Sequence, residues 1–149
     1  MREILFRGKR ADNGEWVYGS PIFQDNYALI RFWNSEEFNY EEYLVVPESI
    51  TEFTGVADKN GKKIFEGDIV RTQPFSDRPY SKKAKYKQHI GVVEYHVRHF
   101  KNSLYEQDYE AHWRVNIKEY DGYGCYDWSA FFKCEIVGNI YDNYELLNT

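Results

Sequence analysis

Short β-branched and aromatic runs, punctuated by polar turns, recur from one end of the chain to the other. The clearest is the alternation of Trp113, Val115 and Ile117 with Arg114, Asn116 and Lys118, the period of two that marks a half-buried antiparallel strand. Glu3–Arg7, Trp16–Tyr18, Tyr27–Trp33, Glu42–Val46 and Ile90–Val97 also read as strands. Ile69-Val70 starts a core strand, and the last strand runs from Phe131 to Tyr141. Asp12-Asn13-Gly14 and Asp58-Lys59-Asn60-Gly61 read as hairpin turns, because Asn-Gly suits a type I′ turn with positive φ at both central positions. Gly67-Asp68 reads as a tight turn.

Pro47-Glu48-Ser49-Ile50 suits one helical turn, with proline where no N–H is needed and an acid at the positive dipole end. Asp142–Leu147 reads as a closing helical turn. Asn34–Asn39 and Asn102–Tyr109 read as polar connections, Asp121–Tyr126 as a Gly-rich aromatic turn, and Gln73–Gln88 as a long mobile loop. About nine short strands at this spacing predict a mainly β protein, with short antiparallel strands forming a partly open barrel and one or two helical turns. No internal repeat, heptad or linker divides the chain. A single domain over residues 1–149 is expected, with an N-terminal β portion at 1–50 and a barrel-like portion at 51–149.

Composition fits a folded protein. Apolar residues make up 42% of the 149 and charged residues 29%. The 14 Tyr, 10 Phe and 4 Trp supply ample ring surface for a core, each buried ring removing roughly 150–250 Å² from water. If one small barrel cannot hold all of them, the surplus lies exposed and marks an interface. No run approaches the ~18–20 apolar residues that span a bilayer. The first residues contain no apolar secretory core. No membrane association and a cytoplasmic location are therefore expected. Cys125 and Cys134 then read as two reduced thiols, and their spacing matches no zinc pattern.

The net charge of −5 is unevenly spread. Residues 71–101 carry eight basic side chains against the two acids Asp77 and Glu94, so that segment is strongly positive and the remainder strongly negative. Within it Arg78, Lys82, Lys83, Lys85 and Lys87 interleave with Tyr80 and Tyr86, a mixture able to follow a phosphate backbone and stack exposed bases. Two other readings fit the same residues: a solvated loop that keeps the surface charged, or a contact to a protein, including the acidic face of a second copy. The overall acidity weighs against a dedicated nucleic-acid binder.

Chemistry is harder to find. Asp58-Lys-Asn-Gly61 has part of the appearance of a calcium loop but lacks the middle ligand. Glu66 and Asp68 would share one face of a strand and could hold Mg²⁺, yet Gly67 between them argues for a turn capped by carboxylates. His89, His96, His99 and His112 are the only histidines; three positions apart on a strand, His96 and His99 point to opposite faces and do not share a metal. Gly122-Tyr123-Gly124 has no following helix to make a phosphate cradle, and no nucleophile elbow or Walker signature occurs. The sequence therefore points to a noncatalytic protein with no cofactor and no metal.

Three segments carry a resemblance. Arg2-Glu3-Ile4-Leu5-Phe6-Arg7, the stretch Phe53–Val70 that includes Ala57-Asp58-Lys59-Asn60-Gly61 and Phe65-Glu66-Gly67-Asp68-Ile69-Val70, and Glu135–Leu147 with its Ile136-Val137-Gly138-Asn139-Ile140-Tyr141 are similar to the YopX family. Gly91-Val92-Val93-Glu94-Tyr95 fits the same pattern. The chain departs from it at Asn143-Tyr144, where the family commonly has Asn-Pro. The resemblance implies a bacteriophage or prophage origin, hence a bacterial host cytoplasm, and a mainly β fold with a portion similar to an SH3-type barrel. It carries over no catalytic residues. Together these readings predict an accessory binding module that contacts another protein or a second copy of itself. The alternative is a nucleic-acid-binding factor using the 78–87 loop.

Overall fold

A computed structural model describes residues 1–76, 80–102, 105–118, 131 and 133–148, with only the backbone of residues 100–110. It is mainly β, with two open antiparallel sheets, and among the described residues no barrel closes. The chain forms two compact units, 1–56 and 57–149.

The first unit contains β1 (Phe6–Lys9), β2 (Trp16–Phe23), β3 (Ala28–Asn34), β4 (Asn39–Val45) and β5 (Thr51–Ala57), in the sheet order β4-β3-β2-β1-β5. Its core is Ala28, Ile30 and Val45, with Phe6, Val17 and Ile50 packed against them. Ile30 pairs with Pro21 on one side and Tyr43 on the other, which fixes which face of β3 turns inward. Pro47–Ser49 forms the expected helical turn, of 3-10 type, and the Ser49 hydroxyl oxygen accepts the Lys9 N–H at 2.7 Å.

The second unit contains β6 (Lys63–Phe65), β7 (Asp68–Arg71), β8 (Ile90–Asn102), β9 (Tyr105–Asn116) and β10 (Glu135–Asn139). Four of these pair in the order β10-β7-β8-β9. Ile64, Val70, Val93, Val115, Ile117 and Cys134 make its core, and Phe75, Trp113, Phe131 and Ile136 pack onto it. Tyr144–Asn148 closes the described chain as a 3-10 turn.

Both Asn-Gly hairpins form, but not as type I′ turns. Gly14 and Gly61 adopt positive φ, while Asn13 and Asn60 do not. In each turn a side-chain carboxyl or amide oxygen takes over instead: Asn13 Oδ1 accepts the Glu15 N–H, and Asp58 Oδ1 accepts the Asn60 N–H. The expected connection over 102–109 is also corrected. β8 and β9 pair as one long hairpin, with Phe100 opposite Asp108 and Asn102 opposite Tyr105, so most of that stretch is strand. Its polar residues fooled the period-two reading because a two-stranded ribbon can be polar on both faces where no core lies beneath it. The last strand is shorter than expected, starting at Glu135 rather than Phe131. Lys133 at φ 49° interrupts the backbone just before it.

The two cores imply a sharp contrast in stability. Ile64→Ala removes a fully buried side chain and should lower the unfolding free energy by about 2–5 kcal/mol. Leu44→Ala, on an exposed face, should stay within about 0.5 kcal/mol of wild type in the same urea titration. Equal losses at both positions would show that the β4 face is covered.

Candidate functional site

Of the carboxylates singled out from sequence, Asp58 and Asp68 are both buried, and each caps backbone. Asp58 Oδ1 accepts the N–H groups of Asn60 at 2.8 Å and Lys62 at 3.0 Å, holding its own turn closed. Its other oxygen accepts the Ile136 N–H at 3.1 Å, tying the turn to β10. Burial on its own would raise the carboxyl's pKa, but the N–H groups of Ile136, Lys62 and Asn60 outweigh it and hold the group below the ordinary aspartate value. The neighbouring residue reinforces the joint, with Lys59 N–H donating to the Cys134 carbonyl at 2.8 Å and Lys59 Nζ 2.7 Å from Glu135.

Asp68 Oδ2 accepts the Phe65 N–H at 2.8 Å, closing the turn through Glu66 and Gly67. Gly67 sits at φ 79°, where a side chain is strained, and a Cβ would come within 3.2 Å of the Tyr141 ring. Its N–H donates to the Val93 carbonyl and its carbonyl accepts the Ile140 N–H. Glu66 and Asp68 therefore bracket a turn, and Asp68 takes the capping role anticipated there. Asn139, in the turn that meets Gly67, caps the Tyr141 and Asp142 N–H groups with its side-chain oxygen.

Cys134 is a buried free thiol, pushed up to about 11 by burial and by the nearby charges of Asp58 and Asp68, which favours its protonated form. Cys125, Gly122 and Gly124 lie outside the described residues. His89 is buried, its ring 4.5 Å from that of Phe75, while its N–H donates to Thr72 Oγ1. His96 and His99 lie on opposite faces of β8, as their spacing requires. The pairing that spacing could not reveal is across the hairpin: His96 stands directly opposite His112, with ring centroids 5.8 Å apart. Among the described residues no three His, Cys, Asp or Glu side chains gather as a metal cluster.

The cationic loop is surface. Tyr80 is fully exposed, and Lys82, Lys83, Lys85, Tyr86 and Lys87 are exposed with it; Arg78 falls outside the described residues. An isolated bridge between Phe75 and Lys87 pins the base of the loop, and Ser81 Oγ accepts the Lys83 N–H within it.

A second surface was not identified as a site from sequence. Register puts Ile22, Leu29 and Leu44 in one row across β2, β3 and β4, Ser20, Arg31 and Glu42 in the next, and Trp33 beside Tyr40 beyond. All share the face opposite Ile30. Trp33, Tyr40 and Leu44 are each at least half exposed. Trp33 meets Tyr40 edge-on at 5.0 Å, and Arg31 pairs with Glu42 amid these apolar groups. The sequence signal was the run Tyr27–Trp33, apolar on both parities, which a strand with only one buried face does not need.

Asp58 supplies the test of the capping role. Asp58→Ala should cost at least about 2 kcal/mol in urea unfolding, because buried N–H groups lose their acceptor. A carboxyl held below its ordinary value gives stability that is present above the unfolded-state pKa of about 3.9 and lost as pH falls through the lower folded value. The stability gap between wild type and Asp58→Asn should therefore narrow steadily below about pH 4. A gap independent of pH would exclude an ionised cap.

No functionally curated protein is recognisably similar in sequence. The crystal structure of protein EF1440 from Enterococcus faecalis is similar over 99% of both chains, at 20% identity and a TM-score of 0.44. The model of the family described as YopX protein matches residues 5–148, a stretch that takes in the Asp58 turn, the Gly67 turn and the Asn139 turn. The chain belongs to the YopX family.

Proposed function

We propose that this protein is a noncatalytic binding module that contacts another protein, a second copy of itself included, through the β2-β3-β4 face of its first unit. The observation that carries the reading is the exposed row of Trp33, Tyr40 and Leu44 around the Arg31–Glu42 pair. Tyr, Trp and Arg are the residues enriched where interfaces concentrate their binding energy, and exposed large apolar side chains around an ion pair fit that composition. The turn-capping roles of Asp58 and Asp68 support a noncatalytic reading, since the carboxylates most suggestive of chemistry are engaged with backbone. The family resemblance supports an accessory protein of a bacteriophage or prophage acting in the bacterial cytoplasm. It also supports reading an SH3-type portion into the second unit, where β7 pairs antiparallel with β8 and β10.

The experiment is light scattering over a range of protomer concentrations, joined to photocrosslinking from position 40. Self-association, or crosslinks to one defined protein that rebinds when purified, supports the reading. Trp33→Ala should then weaken that contact by at least about 2 kcal/mol, roughly thirtyfold. A monomer at every concentration, with no position-dependent crosslink, refutes it.

A second reading rests on the exposed 80–87 loop with its four lysines and two tyrosines. A nucleic acid bound there through five phosphates, counting Arg78, would show a slope of log K against log salt of about −3.5 to −4.5. Absence of any oligonucleotide binding at low salt removes it.

A further inference from the structure

The β8–β9 hairpin is the longest paired element described, and β7 supports only its first three residues, Ile90, Gly91 and Val92. Beyond them the two strands run on as a ribbon whose faces differ. On one, Tyr95 packs edge-on against Trp113 at 5.0 Å. On the other, Glu94 faces Arg114, His96 faces His112, and Arg98 follows at the next position of β8.

We propose that His96 and His112 form a two-imidazole binding site for a divalent transition-metal ion of the zinc and copper class. The geometry is the first argument. A metal–nitrogen bond of about 2.0–2.1 Å, with about 1.1 Å from ring nitrogen to centroid, puts each ring centroid about 3.2 Å from a shared ion. Two rings on one ion then stand about 4.5 Å apart for a right-angled pair and about 6.4 Å apart for a linear one. The observed 5.8 Å, with ring planes inclined at 64°, lies inside that window but beyond the roughly 5.2 Å of a tetrahedral pair, so a tetrahedral ion draws the rings together by about 0.6 Å.

The surroundings are the second argument. Both rings are half-buried, so part of the coordination sphere is open to water. Glu94 Oε1 accepts from Arg114 Nε at 2.6 Å and Oε2 accepts from Asn116 Nδ2 at 3.3 Å, which keeps this carboxylate beside the pair and occupied by its own partners. The ion would thus take two neutral nitrogen donors from the protein and the rest from solvent or a bound ligand. Imidazole is a donor that suits zinc, copper and nickel and discriminates against magnesium and calcium. With two protein donors and Arg98 on the same face, affinity is modest, and it is greatest for Cu(II) by the ordinary ordering of divalent metals. Binding would clip the two strands together at the middle of the ribbon.

The test is calorimetric titration of the full chain with Zn(II), with Mg(II) as the comparison, and pulsed electron paramagnetic resonance of the Cu(II)-loaded protein to count coordinated imidazoles. One saturable Zn(II) site per chain, no response to Mg(II), and two imidazoles on Cu(II) are expected. His96→Gln and His112→Gln should each weaken Zn(II) binding about tenfold or more, while His99→Gln, on the opposite face, leaves it unchanged. Circular dichroism checks that the variants fold, and the count on wild-type protein stands even if one does not. No saturable Zn(II) binding, a single imidazole on Cu(II), or undiminished binding in a folded His96→Gln or His112→Gln variant would overturn the site.

Discussion

The Asp58 carboxylate is the constraint on which the second unit is built. A buried carboxylate without partners would be prohibitively unfavourable, so its oxygens must be satisfied by donors fixed in space. Two come from its own turn, at Asn60 and Lys62, and the third from Ile136, 78 positions further along. One side chain thereby closes a tight turn and specifies where a distant strand begins. β10 can pair with β7 only if Ile136 arrives there, and the register of that pair already carries an irregularity between Ile136 and Gly138. The Lys59 N–H bond to Cys134 and the Lys59–Glu135 ion pair secure the same joint from adjacent positions. Cys134 registers the consequence, since the charge of Asp58 helps to keep its thiol protonated.

The Gly67 turn works with it. A left-handed residue between Glu66 and Asp68 lets the backbone reverse within the core, and its two peptide groups are taken up by Val93 on one side and Ile140 on the other. Thus the segments that identify the family are backbone joints. In them Asp58, Asp68 and Asn139 turn side-chain oxygens to backbone N–H groups.

Much of this was legible beforehand. Strand-rich architecture, the helical turn at Pro47, the core position of Ile69-Val70 and the capping roles near Gly67 followed from residue types whose local physics is strong. What failed to show was anything requiring register. The His96–His112 pairing depends on where the β8–β9 hairpin reverses, and the stretch over 102–109 offered no periodicity from which to place that reversal. The type I′ expectation failed because Asn and Asp side chains compete with backbone geometry: Asp58 and Asn13 satisfy the turn by accepting N–H groups, so positive φ is needed only at the glycine. The exposed aromatic face of the first unit was hidden for a related reason. Leu29, Arg31 and Trp33 alternate with Ala28, Ile30 and Phe32, and both sets are largely apolar, so the sequence does not say which set faces water.

The ribbon shows how the same rules act where no core is available. A two-stranded hairpin in water is marginal by itself, and stability must come from side chains meeting across the strands. β8 and β9 alternate such pairs face by face: Glu94 with Arg114, Tyr95 with Trp113, His96 with His112. The Tyr95–Trp113 side continues the row of Val93 and Val115, so its apolar pair extends the core outward. Yet Trp113 Nε1 is buried with no acceptor among the described residues, and Tyr95 is half exposed. That combination places the limit of the core at this pair. Past it, Val97 and Ala111 are too small and too exposed to hold the strands by burial. The polar pairs of the other face, Glu94 with Arg114 and His96 with His112, flank that limit on its two sides.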